Sequence, residues 1–272
     1  FSVETHSSRH LLRDYFNNKL AIGTAQFGFD YGIANKNGKL SMSEIKKIKK
    51  IAILNGVKFF DTASAYESCE QRLGELGVKE FEVISKLPMT KPNDNRLQWV
   101  LGSIKASLKK LRLKKLYGIH VHNTKYLLDK KGKELYESLL QAKKRGLVKK
   151  IGVSIYTIEE LNRILSKYKI DLVLLPYNIF DQRPIKAKIF DKLKKLDIEV
   201  HTRSTFLQGL LMIDSKNIPK KFGKWRKIFR NWKKIFKNQK KTPLEICLKF
   251  VLSNPLIDKV VVGVDSAKQF KQ

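Results

Sequence analysis

The chain has 272 residues, with 56 Lys and Arg against 25 Asp and Glu, a formal net charge of +31. It holds no run of about eighteen apolar residues, which excludes a membrane-spanning helix. Its start, FSVETHSSRHLLRDYFNNK, lacks the apolar centre of a signal peptide, and the missing initiator Met reads as a trimmed end. The two cysteines, Cys69 and Cys247, fall in separate predicted helices without ligand-like spacing, so a reducing, cytoplasmic setting is expected.

Such a charge attracts nucleic acid, acidic membrane or phosphorylated ligands. The lysines, however, run along the whole chain at polar positions of amphipathic segments, and a solvated basic surface is the plainer explanation.

Residues 1–18 are left as an unassigned N-terminal extension. Leu20 to Ile22 reads as a first strand and ends in Gly23-Thr24-Ala25-Gln26-Phe27-Gly28, whose small residues let a ligand approach the backbone. Ser41 and Glu44 have capping-box spacing and open a helix through Leu54. Val57 to Phe60 is a buried strand that ends on Asp61; small residues lead to Tyr66, and a helix follows over Glu67–Leu76. Phe81 to Ser85 is a third strand, ending on Lys86, with a long helix from Asp94 to Leu113.

Leu116 to Val121 is a fourth strand, passing into His122-Asn123, and helix Lys131–Arg145 stops at Gly146. Lys150 to Ser154, Leu172 to Leu175 and Ile198 to Thr202 are the next strands, separated by helices Ile158–Tyr168 and Pro184–Leu196. After a long basic segment, helix Pro243–Leu252 leads to an eighth strand, Lys259 to Val262, and Gly263. Eight strands alternating with helices predict an α/β fold with a parallel eight-stranded sheet closed as a (β/α)8 TIM barrel. No composition break divides 19–272, which is expected to form a single domain.

In such a barrel the residues just past each strand converge on one mouth. There the sequence gathers Asp61, Tyr66, Lys86, His122, Ser154, Asn178 and Arg203. A phenol, an ammonium, a carboxylate and an imidazole together suit proton transfer to a carbonyl oxygen. A nearby ammonium is expected to lower the phenol pKa, with Asp61 balancing the lysine. No side chain delivers a hydride, so a bound nicotinamide is required. His120 and His122 alternate onto one strand face, and spacing leaves both open.

These motifs resemble the aldo-keto reductase family over nearly the whole chain. They are the Gly23–Gly28 segment, Asp61-Thr62-Ala63 to Tyr66, Ile84-Ser85-Lys86, His122-Asn123, Ile151-Gly152-Val153-Ser154, Pro176-Tyr177-Asn178, Arg203-Ser204 to Phe206-Leu207-Gln208-Gly209, and Val262-Gly263. The resemblance implies a tetrad of Asp61, Tyr66, Lys86 and His122, with Tyr66 as general acid and His122 chosen because an Asn follows it. His120 is then a core or supporting residue. It also implies an extended NADPH donating hydride directly, without a metal.

The resemblance places Gly23, Thr24, Asp61 and Ser154 against the cofactor, followed by Arg203, Ser204, Phe206, Gln208 and Gly209, and finally Gly263, Lys268 and Gln269. Departures are visible. Ile155 stands for an asparagine, Leu174 for a glutamine, Arg203 for a stacking tyrosine, Gln269 for an arginine and Gln272 for a glutamate. A guanidinium stacks as well. Lys268 offers the charge lost at Gln269, which puts NADPH ahead of NADH.

The expected substrate is a small aldehyde or ketone, sugar-like in kind, with specificity carried by loops Phe29–Leu40 and Met89–Asn95. Four alternatives stand beside this expectation. A Schiff-base aldolase on Lys86 conflicts with a carboxylate that raises its pKa. A metal-dependent hydrolase would use His120 and His122 with His201 or Asp61. A non-catalytic cofactor-binding scaffold is compatible with the fold. Nucleic-acid binding has no recognised motif beside the aromatic residues among lysines. Phe222–Phe236 reads alone as a basic amphipathic helix of membrane type. In place it is expected to bury its aromatic stripe on the barrel, and no membrane partner is expected. Oligomeric state is not legible.

Overall fold

The computed structural model describes residues 14–33, 35, 38–238 and 241–272. Residues 1–13 of the N-terminal extension, and positions 34, 36 and 37 of the first specificity loop, lie outside the described residues.

Eight parallel strands close on themselves in sequence order. They are β1 (Leu20–Gly23), β2 (Phe59–Asp61), β3 (Glu82–Lys86), β4 (Leu116–Val121), β5 (Val148–Ser154), β6 (Leu172–Pro176), β7 (Glu199–Arg203) and β8 (Lys259–Gly263). Closure comes from β1 against β8, with Gly23 opposite Gly263. Among the described residues, eight larger helices surround them: α1 (Met42–Leu54), α2 (Cys69–Leu76), α3 (Arg96–Leu111), α4 (Gly132–Lys144), α5 (Ile158–Leu165), α6 (Ile189–Lys195), α7 (Arg226–Asn238) and α8 (Pro243–Leu252).

The strands are apolar on both faces because both are covered. Ala21, Phe59, Ile84, Leu172, Leu174 and Val261 pack inside the barrel. The alternate residues, such as Ile22, Phe60, Val83 and Ile119, join the larger core beneath the helices. That alternation sends Asp61, Lys86, His120 and Arg203 inward. Local signals set the helix ends: Ser41 accepts from Glu44 N at α1, and Thr157–Glu160 and Thr242–Glu245 form capping boxes at α5 and α8. Gly74 lets α2 approach α3, since a Cβ there would stand 1.9 Å from the Lys110 carbonyl oxygen.

The expected barrel is thus observed, with three local differences. Helix α2 starts at Cys69 rather than Glu67, because Glu67 takes a left-handed turn, φ 46°. The helix expected over Pro184–Leu196 is two pieces, Arg183–Lys186 and α6, broken at left-handed Lys188, φ 52°. The aromatic segment also differs. Lys220–Trp225 is a 3-10 turn, and α7 begins only at Arg226. Phe229 and Trp232 are buried against a satellite cluster of Leu210, Leu211, Ile218 and Cys247, with Trp232 Nε1 donating to Leu211 O at 3.0 Å. Trp225, Ile228 and Ile235 stay exposed. The stripe is therefore only half covered, because the loop after β7 and not the barrel wall receives it. Among the described residues no helix is long and apolar enough to cross a membrane.

Candidate active site

Strand ends deliver the first two groups. Asp61 closes β2 and Lys86 closes β3, both inward and almost completely buried. Lys86 Nζ donates to Asp61 Oδ1 at 2.5 Å and to Thr62 O at 2.7 Å. An ammonium so deeply buried persists only because charge and hydrogen bonds both meet it.

Tyr66 arrives by a turn. Its N–H donates to Ala63 O at 3.0 Å, its own carbonyl accepts from Cys69 N at 2.9 Å, and Glu67 reverses the chain. Gly28 makes room: a Cβ there would stand 2.2 Å from Tyr66 O. The phenol ring then lies 5.1 Å from Lys86 Nζ, measured to its centroid. The His122 ring is 6.3 Å from it and nearly perpendicular. His120 is fully buried one layer deeper, opposite Lys86 in the β3–β4 register. The two histidines that spacing left equal are thus separated by depth, and His122 is the one beside the phenol.

The electrostatics depart from expectation on one point. Burial raises the Tyr66 phenol above its ordinary 10.0; Lys86 pulls it down, Asp61 pushes it up, and the net shift is upward. The expected acidification of the phenol is overturned, since desolvation outweighs the ammonium. Burial opposes the Lys86 charge, yet Asp61 and Tyr66 more than compensate and its pKa is raised. Burial, then Lys86 and Arg203, push His122 down to about 4, so its imidazole is neutral at ordinary pH. The site therefore holds a protonated phenol, an ammonium–carboxylate pair and a neutral imidazole.

Beside these groups opens a cleft of about 920 Å³, solvent at its mouth included. Of the expected cofactor residues, Gly23, Thr24, Asp61, Arg203, Ser204, Phe206, Gln208, Gly209, Gly263 and Gln269 line it. Ser154 is buried nearby without lining it, and Lys268 is exposed outside it. Arg203 is held by Ile155 O at 3.0 Å and lies 4.5 Å from the Tyr156 ring centroid. The left-handed run Ser204, Leu207, Gln208 and Gly209 folds the chain over one wall. Non-glycine residues in that region are costly, and such strain concentrates at ligand sites.

An extended dinucleotide fits this cleft on two observations. The wall is flat at Gly263, where a Cβ would meet Gln26 Nε2 at 2.7 Å. Gln26 and Thr205 line the cleft, and the buried Gln26 Oε1 and Thr205 Oγ1 have no protein partner.

Tyr31 and Gly32, of the loop Phe29–Leu40 expected to carry specificity, line the cleft, as does Asp265 from the segment Gly263–Gln272. Thr205 and Met212 line it as well, from a loop after β7 where only neighbouring residues are expected at the cofactor. The loop Met89–Asn95 does not line it. For the metal alternative, His201 Nε2 lies 2.5 Å from Glu199 Oε1, deeper in the barrel. Among the described residues no three His, Cys, Asp or Glu are grouped to hold a metal ion.

A model of the Aldo/keto reductase family matches residues 19–272. A D-threo-aldose 1-dehydrogenase from Pseudomonas sp is 24% identical over 299 aligned positions, covering 93% of this chain and 89% of the relative. An NAD(P)H-dependent 6'-deoxychalcone synthase from Glycine max is 36% identical over 149 residues, 44% of this chain and 46% of the relative, so that match spans under half of the relative's length. Among solved structures, an aldo-keto reductase from Bacillus halodurans in its holo form superimposes with a TM-score of 0.72 at 18% identity, covering 93% of this chain and 84% of that one. A glycerol dehydrogenase from Gluconobacter oxydans gives 0.69 at 18% identity, with 92% and 84% covered. At such identities the likeness is one of fold.

Proposed function

Because the chain belongs to the aldo/keto reductase family, a family of NAD(P)H-dependent oxidoreductases, we propose that it reduces an aldehyde or ketone by direct hydride transfer, with Tyr66 as general acid. The observation that carries this reading is the buried Lys86–Asp61 pair, 2.5 Å apart, beside a phenol whose other neighbour is a neutral imidazole. When bound, the reduced nicotinamide supplies the hydride.

Every other part belongs to side chains of this protein. Tyr66 donates its hydroxyl proton to the carbonyl oxygen as negative charge develops there. Lys86 stabilises the phenolate left behind, and Asp61 keeps Lys86 charged and in place. The neutral His122 directs the oxygen towards the phenol without competing as an acid. Arg203 offers a planar surface over the wall of the cleft. A sugar-like carbonyl compound is the favoured substrate class. Support comes from the relative named for an aldose, which aligns with 93% of this chain. We assign the chemistry to one barrel domain over 19–272 and a cytoplasmic setting. Both thiols fit the latter, since burial pushes Cys69 and Cys247 up to about 12, where they are unreactive.

Replacing Tyr66 by Phe removes the transferred proton and little else. Turnover of an aldehyde is expected to fall by roughly 10²–10⁴-fold, while cofactor binding, followed by fluorescence titration, is retained. Turnover at the wild-type rate in Y66F would refute the assignment.

A further inference from the structure

We propose that α7 and the turn before it form a peripheral docking face for an anionic lipid bilayer. The expectation that no membrane is met rested on full burial of the aromatic stripe, and half of that stripe lies open. Phe229 and Trp232 are buried, whereas Trp225, Ile228 and Ile235 are 38%, 49% and 44% exposed. Ile228 and Ile235 are two helical turns apart and share one face. They continue an apolar trough of about 880 Å³, in which Ile33, Phe180, Leu207 and Phe222 meet Trp225 and Ile228. An open apolar patch of this kind marks an interaction surface.

Charge chooses the occupant. From Ser215 to Lys241 the sequence carries twelve Lys or Arg and no Asp or Glu. Lys224, Lys227, Arg230, Lys234 and Lys237 are exposed. Lys233 turns instead to Asp214, just before the segment, at 2.5 Å. Lys224 Nζ lies 4.2 Å from the Trp225 ring centroid. A helix with tryptophan and isoleucine along one edge and bases around the rest lies in the plane of a bilayer surface, its ammonium groups among the headgroups. Indoles favour that depth, and each basic group near an anionic leaflet adds attraction.

Other occupants fit less well. A second copy brings a further +31 to the same place, and like charge opposes that pairing. A nucleic acid satisfies the lysines, but isoleucine neither stacks on bases nor binds phosphate, so the open apolar edge stays wet. The trough shares Ser204 and Gln208 with the active cleft, so the docked face lies beside the mouth of that cleft. The docking is independent of the chemistry proposed at Tyr66.

The test is co-sedimentation of the full chain with vesicles of phosphatidylcholine alone and with vesicles of equal parts phosphatidylcholine and phosphatidylserine, read together with tryptophan emission. The acidic vesicles are expected to bind at least about tenfold more tightly, with a blue shift that Trp225→Phe removes while sedimentation persists. A chain of this charge adsorbs to acidic surfaces in general, so the decisive variant leaves the charge unchanged. Ile228→Gln combined with Ile235→Gln is expected to weaken binding to acidic vesicles by about tenfold or more. Its thermal unfolding midpoint stays at the wild-type value, because both side chains are exposed. Absence of binding to acidic vesicles, a blue shift that survives Trp225→Phe, or full binding by the double variant overturns the proposal. So does binding to a single-stranded oligonucleotide that acidic vesicles fail to displace.

Discussion

At the scale of single residues, the protonation states follow from burial before they follow from partners. The Tyr66 phenol sits above its ordinary value because desolvation outweighs the Lys86 ammonium, and His122 titrates at about 4. The sign follows directly. A general acid works while protonated, so activity is lost as pH rises through its raised folded pKa; His122 gains a charge only below about 4. The rate of carbonyl reduction at saturating substrate is therefore expected to be level above the His122 titration at about 4 and to fall only above the ordinary phenol value of 10.0. A descending limb centred near neutrality in a steady-state pH profile would contradict this. The residue types were legible in the sequence, because strand-end placement gathers Asp61 and Lys86 whatever their rotamers, and Tyr66 follows in the short turn after β2. The choice between His120 and His122 was not, since residues two apart share a strand face and only depth along the barrel separates them.

At the scale of elements, turns and caps position the chemistry. The turn Thr62–Glu67 holds Tyr66 between β2 and α2, and Gly28 clears its path. The aromatic segment shows the limit of periodicity. Seven apolar residues at helical spacing predicted one buried stripe, but the segment is part 3-10 turn and part α7, and its cover is the loop from Leu210 to Ile218. Immediately after it, α8 restarts with a full capping box, Thr242 Oγ1 accepting from Glu245 N at 3.2 Å while Glu245 returns to Thr242 N at 2.7 Å. Thr242→Ala is expected to destabilise the protein by about 1 kcal/mol in urea unfolding, while Thr242→Ser stays close to wild type. Equal stability of all three would show that α8 is held by packing alone. Read from the sequence, this helix opens at Pro243 without its Thr242 cap, and the break at Lys188 carries no sequence signal.

At the scale of the whole molecule, the barrel has a polar cluster at the end opposite the site. Tyr117 Oη donates to Glu199 Oε2 at 2.7 Å, Lys150 binds the same oxygen, and His201 Nε2 lies 2.5 Å from Oε1. Burial opposes the Glu199 charge, but His201, Lys150 and Tyr117 together bring its pKa down from 4.5 to about 2. A depressed carboxylate stabilises the fold above its unfolded value. That stability is lost as pH falls from about 4.5 to about 2, and amounts to about 3 kcal/mol in order of magnitude. Glu199→Gln is expected to be less stable than wild type at pH 7, with the difference shrinking towards pH 2 in denaturant titrations. A difference independent of pH would exclude Glu199 as an acid-sensitive group.

What the sequence determined by itself was the alternation of eight strands with helices and the groups at the strand ends, since chain order and side-chain period are local properties. What only the tertiary structure decided was which of those groups lie deep or shallow, how far burial moves a proton, how much of an apolar stripe is covered, and which charges reach the cleft. Each of these depends on neighbours brought together by the closing of the barrel, and no local pattern encodes the distance from Lys268 to a wall formed by β8 and β1.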